Sequence, residues 1–432
     1  MQITLADFVK GTADGEQAEA ILRKCVHCGF CTATCPTYQL LGDELDGPRG
    51  RIYLIKQVLE GVEPSPSTQQ HLDRCLTCLN CETTCPSGVQ FGRLVDIGRH
   101  IVDAKVPRPT RSRLWRTLVK ELCAGPLFAA SLRLARMLRP LLPAGLKQKV
   151  LPLQASGVWP SRRHERKMLL LAGCVQPSMM PNINAATARV LDALDIELIV
   201  PATAACCGAI RHHLTDQPGA LRDARRNIDA WWPHIAAGAE AIVMNASGCG
   251  AMVRQYGHLL RLDAAYAHKA ARISALTRDL AELLPPLLAP RLGKLATRPE
   301  RLVFHPPCTL QHAQNVRGVV EALLRALGAQ VLPFQDSQSC CGSAGTYSLL
   351  QPQLAQQLRE RKLEALMAAA PETILSANVG CIAHLAGTAP VKVQHWIEWL
   401  DARLASSGAG GASGTAGAAG ATGAAGAAGA HL

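Results

Sequence analysis

The sequence predicts an α+β protein of several domains, in which a helical amino-terminal domain precedes two copies of an α/β module. Two segments near the amino terminus, Cys25–Pro36 and Cys75–Pro86, share the cysteine pattern C-x2-C-x2-C-x3-C-P. From residue 168 onward, the same order of strands, helices and cysteines occurs twice. The chain of 432 residues is long enough to bury a core in each of two or three domains.

The paired cysteine segments predict iron–sulfur ligation. In two-cluster ferredoxins this spacing places three cysteines on one [4Fe–4S] cluster, while the fourth, before the proline, binds the other cluster. The first cluster is therefore assigned to four cysteines from both segments: Cys25, Cys28, Cys31 and Cys85. The second cluster takes the complementary four: Cys75, Cys78, Cys81 and Cys35. The alternative is a pair of zinc sites, but zinc explains neither the third cysteine nor the repeated Cys-Pro.

Residues 1–104 are predicted to form an α-helical two-cluster ferredoxin domain. Apolar residues recur at helical spacing over Arg49–Glu60, and a further helix is expected over Val89–Val102. Helices between and after the cysteine segments favour this architecture over the small β-rich ferredoxins. Four apolar residues of the segments are expected to keep water from the sulfurs: Val26, Phe30, Leu76 and Leu79.

Residues 105–167 are predicted to be a basic helical connector. They hold fifteen Lys or Arg and two Glu, so the net charge of +12 is concentrated there. Basic amphipathic helices bind anionic lipid surfaces; the alternatives are a hairpin packed on the protein and a docking site for a partner subunit. An aromatic content of 4% argues against base stacking, and no nucleic-acid partner is expected.

Residues 168–290 and 291–404 are predicted to be two α/β modules with the cysteine order C…CCG…GC. In both, thirty-one residues separate the first cysteine from the adjacent pair. Alternating strands and helices predict parallel sheets with the cysteines at the carboxyl edge. The glycine after each pair is expected to adopt a positive φ or to allow close approach of the backbone. The eight cysteines are Cys174, Cys206, Cys207, Cys249, Cys308, Cys340, Cys341 and Cys381.

The chemistry of these eight cysteines stays open at this point. Four thiolates in each module are enough for an additional iron–sulfur cluster or for zinc. A redox-active dithiol and an interaction surface with structural cysteines are the alternatives. Histidines near the loops are expected to be hydrogen-bonded rather than metal ligands: His212, His213, His305, His312, His384 and His395.

The chain ends are expected to add no membrane span. Residues 405–432 are almost wholly Ala, Gly, Ser and Thr and are predicted to be disordered. No apolar run reaches eighteen residues, and residues 1–24 have no pattern typical of a signal peptide. The many cysteines in cluster-type spacing favour a reducing, cytoplasmic location.

Five stretches of sequence resemble the iron–sulfur subunits of glycolate dehydrogenase (glycolate oxidase). This family belongs to the heterodisulfide-reductase-related proteins with CCG domains, as do a lactate-utilisation iron–sulfur protein and one subunit of the anaerobic glycerol-3-phosphate dehydrogenase. The likeness covers residues 1–403. The stretches are Cys25–Gly50, Asn227–Trp232 (NIDAWW), Ala246–Gly250 (ASGCG), Cys308–Ala313 (CTLQHA) and Cys340–Tyr347 (CCGSAGTY).

The resemblance implies an electron-transfer role. Such a subunit takes electrons from flavin-containing partner subunits, which oxidise glycolate to glyoxylate, and passes them to a quinone or another acceptor. It implies a peripheral position on the cytoplasmic face of the inner membrane. The absence of nucleotide-binding glycine motifs agrees with flavin lying on another chain. The alternatives are D-lactate or glycerol 3-phosphate as the substrate, or a thiol–disulfide enzyme of the heterodisulfide reductase type.

The modules depart from the fullest form of the CCG repeat. In that form, the last cysteine belongs to a C-x2-C pair, and five cysteines can hold a noncubane cluster. Here Ala246 and Asn378 occupy the place of the first member of that pair. Each module therefore keeps four cysteines.

Overall fold

The computed structural model describes residues 1–125, 127–141, 143, 147, 150, 152–294 and 299–409. Most of the predicted disordered tail lies outside these residues. The last helix continues to Ala409, so residues 405–409 are helical although the sequence placed the start of the tail at residue 405.

The amino-terminal domain is helical, as predicted. Leu22, Ile55 and Leu94, from three of its helices, are fully or almost fully buried in one core. Pro48 starts the fourth helix at a position where its missing N–H costs nothing, and Ser65 and Thr68 form a capping box on the fifth. The helices are Ala13–Lys24 (α1), Phe30–Ala33 (α2), Pro36–Leu41 (α3), Pro48–Leu59 (α4), Pro66–Asp73 (α5), Asn80–Thr84 (α6) and Phe91–Lys105 (α7).

The connector forms two helices, Thr110–Ala124 (α8) and Phe128–Met137 (α9). Helix α8 packs against the protein: Val119 is buried, and Lys120 Nζ lies 2.9 Å from the carboxylate of Asp216. The outer surfaces of the two helices remain apolar and exposed at Leu114, Trp115, Leu118, Leu134 and Met137. No described helix is both long enough and apolar enough to cross a membrane.

Each module contains a four-stranded parallel sheet, with the orders β2-β1-β3-β4 and β6-β5-β7-β8. The alternation of strands with helices and the parallel pairing agree with the sequence prediction. The edge strands β4 and β8 are short and carry polar residues, so they lack the apolar run of a buried parallel strand. The strands are Arg166–Leu170 (β1), Ile196–Ile199 (β2), Ile242–Met244 (β3), Thr277–Asp279 (β4), Arg301–His305 (β5), Gln330–Val331 (β6), Thr373–Ser376 (β7) and Lys392–His395 (β8).

Helices cover both sheets. In the first module they are Gln176–Met179 (α10), Asn182–Asp192 (α11), Ala209–His213 (α12), Gln217–Ala236 (α13), Ser247–Val253 (α14), Tyr256–Leu259 (α15), Ala267–Leu276 (α16) and Leu280–Leu288 (α17). In the second they are Val319–Ala326 (α18), Tyr347–Leu350 (α19), Pro352–Met367 (α20), Val379–Ala386 (α21) and Trp396–Ala409 (α22). The structure therefore confirms the α+β class and the duplicated α/β modules.

The two modules share one apolar core. Ile183 and Leu284 of the first module lie in the same buried cluster as Phe304 and Ile397 of the second. Helices α11 and α22 pack together, and the guanidinium of Arg189 lies 2.6 Å from the carboxylate of the second module's Asp401. This shared core fixes the carboxyl edges of the two sheets relative to each other.

Candidate iron–sulfur sites

The two cysteine segments of the amino-terminal domain have the same backbone conformation. His27 and Gly29 have φ values of 54° and 87°, and the matching Thr77 and Leu79 have 50° and 61°. A positive φ is unfavourable for threonine and leucine, so the second loop keeps this shape against local preference. Strained backbone of this kind is concentrated at binding and catalytic sites.

The first cysteine set surrounds a small pocket near the surface. Its lining includes cysteines from both segments: Cys25, Cys28, Cys31, Cys81 and Cys85. Burial, with the neighbouring thiolates of Cys25 and Cys85, raises the pKa of Cys31 to about 11. Without a cation, a charged thiolate at Cys31 is therefore unfavourable. Sulfur donors from two separate loops around one cavity fit a cluster ligated across the segments.

The second cysteine set lies deeper, around a small pocket lined by Cys35, Cys75, Cys78 and Cys81. Burial raises the pKa of Cys78 and Cys81 well above the usual value, and the other thiolates of the set add to this shift. A bound metal group removes this penalty because it pairs each thiolate with positive charge. The donors present thus fit a second cluster.

A buried charge network contacts the second cysteine set at Cys35. The carboxylate of Asp46 is fully buried and lies 3.3 Å from Arg51 Nη2 and 2.8 Å from Arg74 Nη1. The Asp46 carbonyl accepts a hydrogen bond from Thr37 Oγ1, which also lies 3.3 Å from Cys35 Sγ. The network ties the loop that ends at Cys35 to helices α4 and α5.

The expected apolar lining is only partly present. Leu76 is buried, but Val26 and Phe30 are 69% and 63% exposed, and Cys28 is exposed as well. The prediction that Val26 and Phe30 are buried against the sulfurs is therefore wrong. Both side chains border the first cavity on its solvent side, so they form an apolar rim around an open site.

The paired cysteines of the modules also have matched geometry. Gly208 and Gly342 have φ values of 87° and 88°, which confirms the expected positive φ. The amide of Gly208 donates to Cys206 Sγ at 3.4 Å, and the amide of Gly342 donates to Cys340 Sγ at the same distance. A Cβ on Gly342 would lie 2.6 Å from the carbonyl oxygen of Ala355, so only glycine fits there.

Each module gathers its four cysteines at the carboxyl edge of its sheet. In the first module, hydrogen bonds from the thiols of Cys174 and Cys207 lower the pKa of Cys206 to about 3. In the second module, the corresponding Cys340 has a raised pKa despite its hydrogen bond with Cys308, because a hydrogen bond with Cys341 and burial outweigh it. The direction of the pKa shift at the first cysteine of the pair therefore differs between the two modules.

The second module's cysteines adjoin the amino-terminal domain. Cys308 and Cys340 lie in one buried cluster with Leu76, and Cys78 packs against it. Tyr347 donates a hydrogen bond from its hydroxyl to the carbonyl of Arg74 across the same boundary.

The duplication predicts that the cysteine sets of the two modules face a common interface. The loops that carry Cys249 and Cys381 do meet, where Ser247 N donates to Ala377 O at 3.1 Å.

Four of the histidines near the loops have the hydrogen bonds that the sequence predicted. His312 Nδ1 lies 2.9 Å from Thr83 Oγ1, and His384 Nε2 lies 3.1 Å from the carbonyl of Ala355. His395 Nδ1 accepts from the amide of Ile397, and His212 Nε2 lies 3.1 Å from Asp96 Oδ2. His305 differs: neither of its ring nitrogens has a hydrogen-bond partner among the described residues.

The Asp96–His212 pair predicts that stability depends on pH. Burial and the positive charge of Arg99 lower the pKa of His212. The charge of Asp96 and its hydrogen bond with His212 outweigh both effects and raise that pKa above the usual 6.5. The pair's stabilisation is therefore complete below the unfolded pKa and is lost as pH rises through the folded pKa. We expect the thermal midpoint of the anaerobic protein to fall from about pH 6 to about pH 8. His212→Gln should show a smaller fall; an equal fall in both proteins contradicts the assignment.

Comparisons with known proteins give matches to the amino-terminal domain and to both modules. A model described as a 4Fe-4S dicluster domain matches residues 21–89, and one described as a cysteine-rich CCG domain matches residues 168–254 and 302–386. The chain is 54% identical over 408 residues to the glycolate oxidase iron-sulfur subunit of Escherichia coli K12, covering 94% of this chain and 99% of that protein.

Two more distant relatives also match the chain, one of them over only part of it. A probable glycolate oxidase iron-sulfur subunit of Bacillus subtilis is 27% identical over 84% of this chain and 88% of its own length. Lactate utilization protein A of Geobacillus thermodenitrificans is 27% identical over 55% of this chain and 99% of its own length. The chain therefore belongs to the family of glycolate oxidase iron–sulfur subunits, which are electron-transfer subunits of an oxidoreductase.

Proposed function

We propose that this chain carries electrons from flavin-containing subunits that oxidise glycolate to glyoxylate, and delivers them to a quinone or another acceptor. The observation that carries this proposal is the pair of cysteine sets, whose sulfurs come from two loops and line two adjoining pockets that share Cys81. The name of the E. coli relative supports glycolate as the substrate. The proposed ligands are Cys25, Cys28, Cys31 and Cys85 for the first cluster, and Cys75, Cys78, Cys81 and Cys35 for the second.

The number of electrons that glycolate releases agrees with two redox centres on this chain. Oxidation of glycolate to glyoxylate releases two electrons and two protons, and bound [4Fe–4S] clusters would supply two one-electron redox centres. The chain's own residues hold those centres, exclude water at the second set and offer access at the first. The C–H bond of the substrate breaks on the partner subunit.

The exposed rim of the first set is the proposed contact with the electron donor. Val26 and Phe30 project an apolar surface beside the exposed Cys28, and apolar patches of this kind mark protein interfaces. At the other end, Cys78 of the second set adjoins Cys308 and Cys340. We therefore place the electron entry at the first set, and propose the eight module cysteines as a further redox or metal site.

The rim gives a direct test. Val26→Ser together with Phe30→Ser should weaken binding of the flavin subunits by roughly tenfold, because truncation of the few interface residues that carry the binding energy costs more than about 1 kcal/mol each. Iron content should not change. Val62→Ser, at a residue of similar exposure outside the rim, is the matched control. Unchanged affinity of the double variant in a pull-down titration contradicts this contact.

The connector supports a peripheral contact with anionic lipid. Leu114, Trp115 and Leu118 are exposed on α8, and Arg111 and Arg113 lie on the same helix. An apolar surface bordered by arginines is typical of helices that lie in the membrane interface. We propose that this surface holds the complex at the cytoplasmic face of the inner membrane, close to quinone.

The substrate is tested on the complex isolated through a tag on this chain. Glycolate should reduce a soluble quinone analogue faster than D-lactate or glycerol 3-phosphate does. Faster reduction with either of those compounds would identify it as the substrate of the complex and would leave the electron-transfer role of this chain unchanged. No reduction with any of the three would contradict the proposed function.

One observation favours a thiol–disulfide reaction as a second candidate. The lowered pKa of Cys206 is typical of a nucleophilic thiol. However, Cys206 and Cys207 are 3% and 4% exposed, so a disulfide substrate has little access to either sulfur. Cys206→Ser would abolish disulfide reduction if this reaction occurred.

A further inference from the structure

The second module places a buried histidine against two of its cysteines. His305 ends strand β5 and is fully buried. One donor atom each from His305, Cys341 and Cys381 lies within 4.8 Å of the others. Neither ring nitrogen of His305 has a hydrogen-bond partner among the described residues. Buried imidazoles normally satisfy at least one nitrogen, so this ring is positioned for a ligand that supplies the missing interaction.

A buried lysine adds positive charge beside the same cysteines. Lys362 on α20 is 2% exposed, donates to the carbonyl of Asp336 and lies over the ring of Phe334. The groups that offset its charge are three cysteines of this module and Asp336. A buried ammonium is costly unless negative charge lies nearby. The position of Lys362 therefore favours negative charge at the cysteines. A metal ion bound by several thiolates has such a negative charge.

The first module lacks both basic residues. His305 lies three residues before Cys308, and the residue three before Cys174 is Leu171. Lys362 lies ten residues after the first residue of α20, and the residue ten after the first residue of α13 is Asn227. Leu171 is buried in the apolar core of the first module, and Asn227 donates to the carbonyl of Cys206. The histidine and the lysine are thus specific to the second module and are not required by the shared fold.

We propose that the second module binds a single four-coordinate metal ion of the zinc type through His305, Cys341 and Cys381. In a tetrahedral site with metal–sulfur bonds of about 2.3 Å, neighbouring donors lie about 3.8 Å apart. The three donor atoms all lie within 4.8 Å of one another, a limit that this spacing satisfies. The thiolates of a cubane bind different irons and lie further apart. Cys340, whose thiol is hydrogen-bonded with that of Cys341, lies next to the fourth coordination position of the proposed metal ion.

The zinc site is tested independently of the proposed electron transfer, because zinc and cluster iron are counted separately in one sample. The full chain is purified without oxygen, and its zinc, iron and acid-labile sulfide are measured. We expect about one zinc per chain in the native protein and less than about a tenth of that in His305→Leu. The iron and sulfide contents should be equal in both proteins. His305→Cys, which keeps a ligand, should retain the zinc.

Two further variants exclude general effects on folding. His395→Leu removes another fully buried histidine of this module, one that is not among the three grouped donors, and should keep its zinc. Lys362→Met should weaken zinc retention against a chelator by roughly 10–100-fold, as loss of an outer-shell partner does. Native protein without zinc, equal zinc in His305→Leu, or additional iron and sulfide in place of zinc would each overturn the assignment.

Discussion

Cys28→Ala is expected to lower the iron content from about eight to about four atoms per chain and to stop glycolate-dependent quinone reduction. Cys28 is the exposed member of the first cysteine set, so its truncation leaves no cavity in the core. The amino-terminal core and the second set should therefore survive, and the flavin subunits should still bind. Iron and sulfide analysis of the anaerobic complex, with a quinone-reduction assay on the same sample, measures both effects.

Cys123→Ala is the matched control for this variant. Cys123 lies on α8, outside both cluster cavities, and is also partly exposed. Its replacement should leave the iron content and the turnover unchanged. Full turnover of the Cys28→Ala complex would mean that electrons do not pass through the first cysteine set.

Asp46→Ala is expected to destabilise the amino-terminal domain by about 3–5 kcal/mol. Its carboxylate is fully buried, and Arg51, which is 1% exposed, contacts it from helix α4. Removal of Asp46 leaves the Arg51 guanidinium buried without its carboxylate, and also removes the contact of Arg74. Because the Asp46 segment contacts Thr37 and Cys35, we expect loss of the second cluster to accompany unfolding. Denaturant unfolding, followed by cluster absorbance and by circular dichroism, measures both events.

Glu44→Ala is the comparison for this variant. Glu44 pairs with Arg49 at 2.7 Å only two residues away from Asp46, but both side chains are about 40% exposed. An exposed pair contributes about 0–1 kcal/mol, so Glu44→Ala should be nearly neutral. Equal losses for the two variants would show that the buried network has no special role.

The features predicted from the sequence are those that residue spacing determines directly. The cysteine pattern predicted two matched loops, and His27, Gly29, Thr77 and Leu79 do share one backbone conformation. The repeated CCG order predicted parallel α/β modules with a positive φ at Gly208 and Gly342. These features were predictable because neighbouring residues along the chain and hydrophobic periodicity determine them.

The features that the sequence did not predict depend on how the domains pack together. The exposure of Val26 and Phe30 follows from the absence of any covering element among the described residues, which their apolar character cannot reveal. The contact of Cys78 with the second module joins residues more than two hundred positions apart. The difference between His305 and Leu171 was readable from the duplication, but only the structure shows that the histidine has no described partner.

The central claim is that the eight amino-terminal cysteines hold redox centres that receive the electrons of glycolate. The most direct test is electron paramagnetic resonance of the anaerobic complex, frozen after addition of glycolate with no acceptor present. We expect signals of reduced [4Fe–4S] clusters that appear with glycolate and lose one component in Cys28→Ala. A complex that turns over glycolate while this chain contains no iron, or whose clusters stay oxidised during turnover, would contradict the claim.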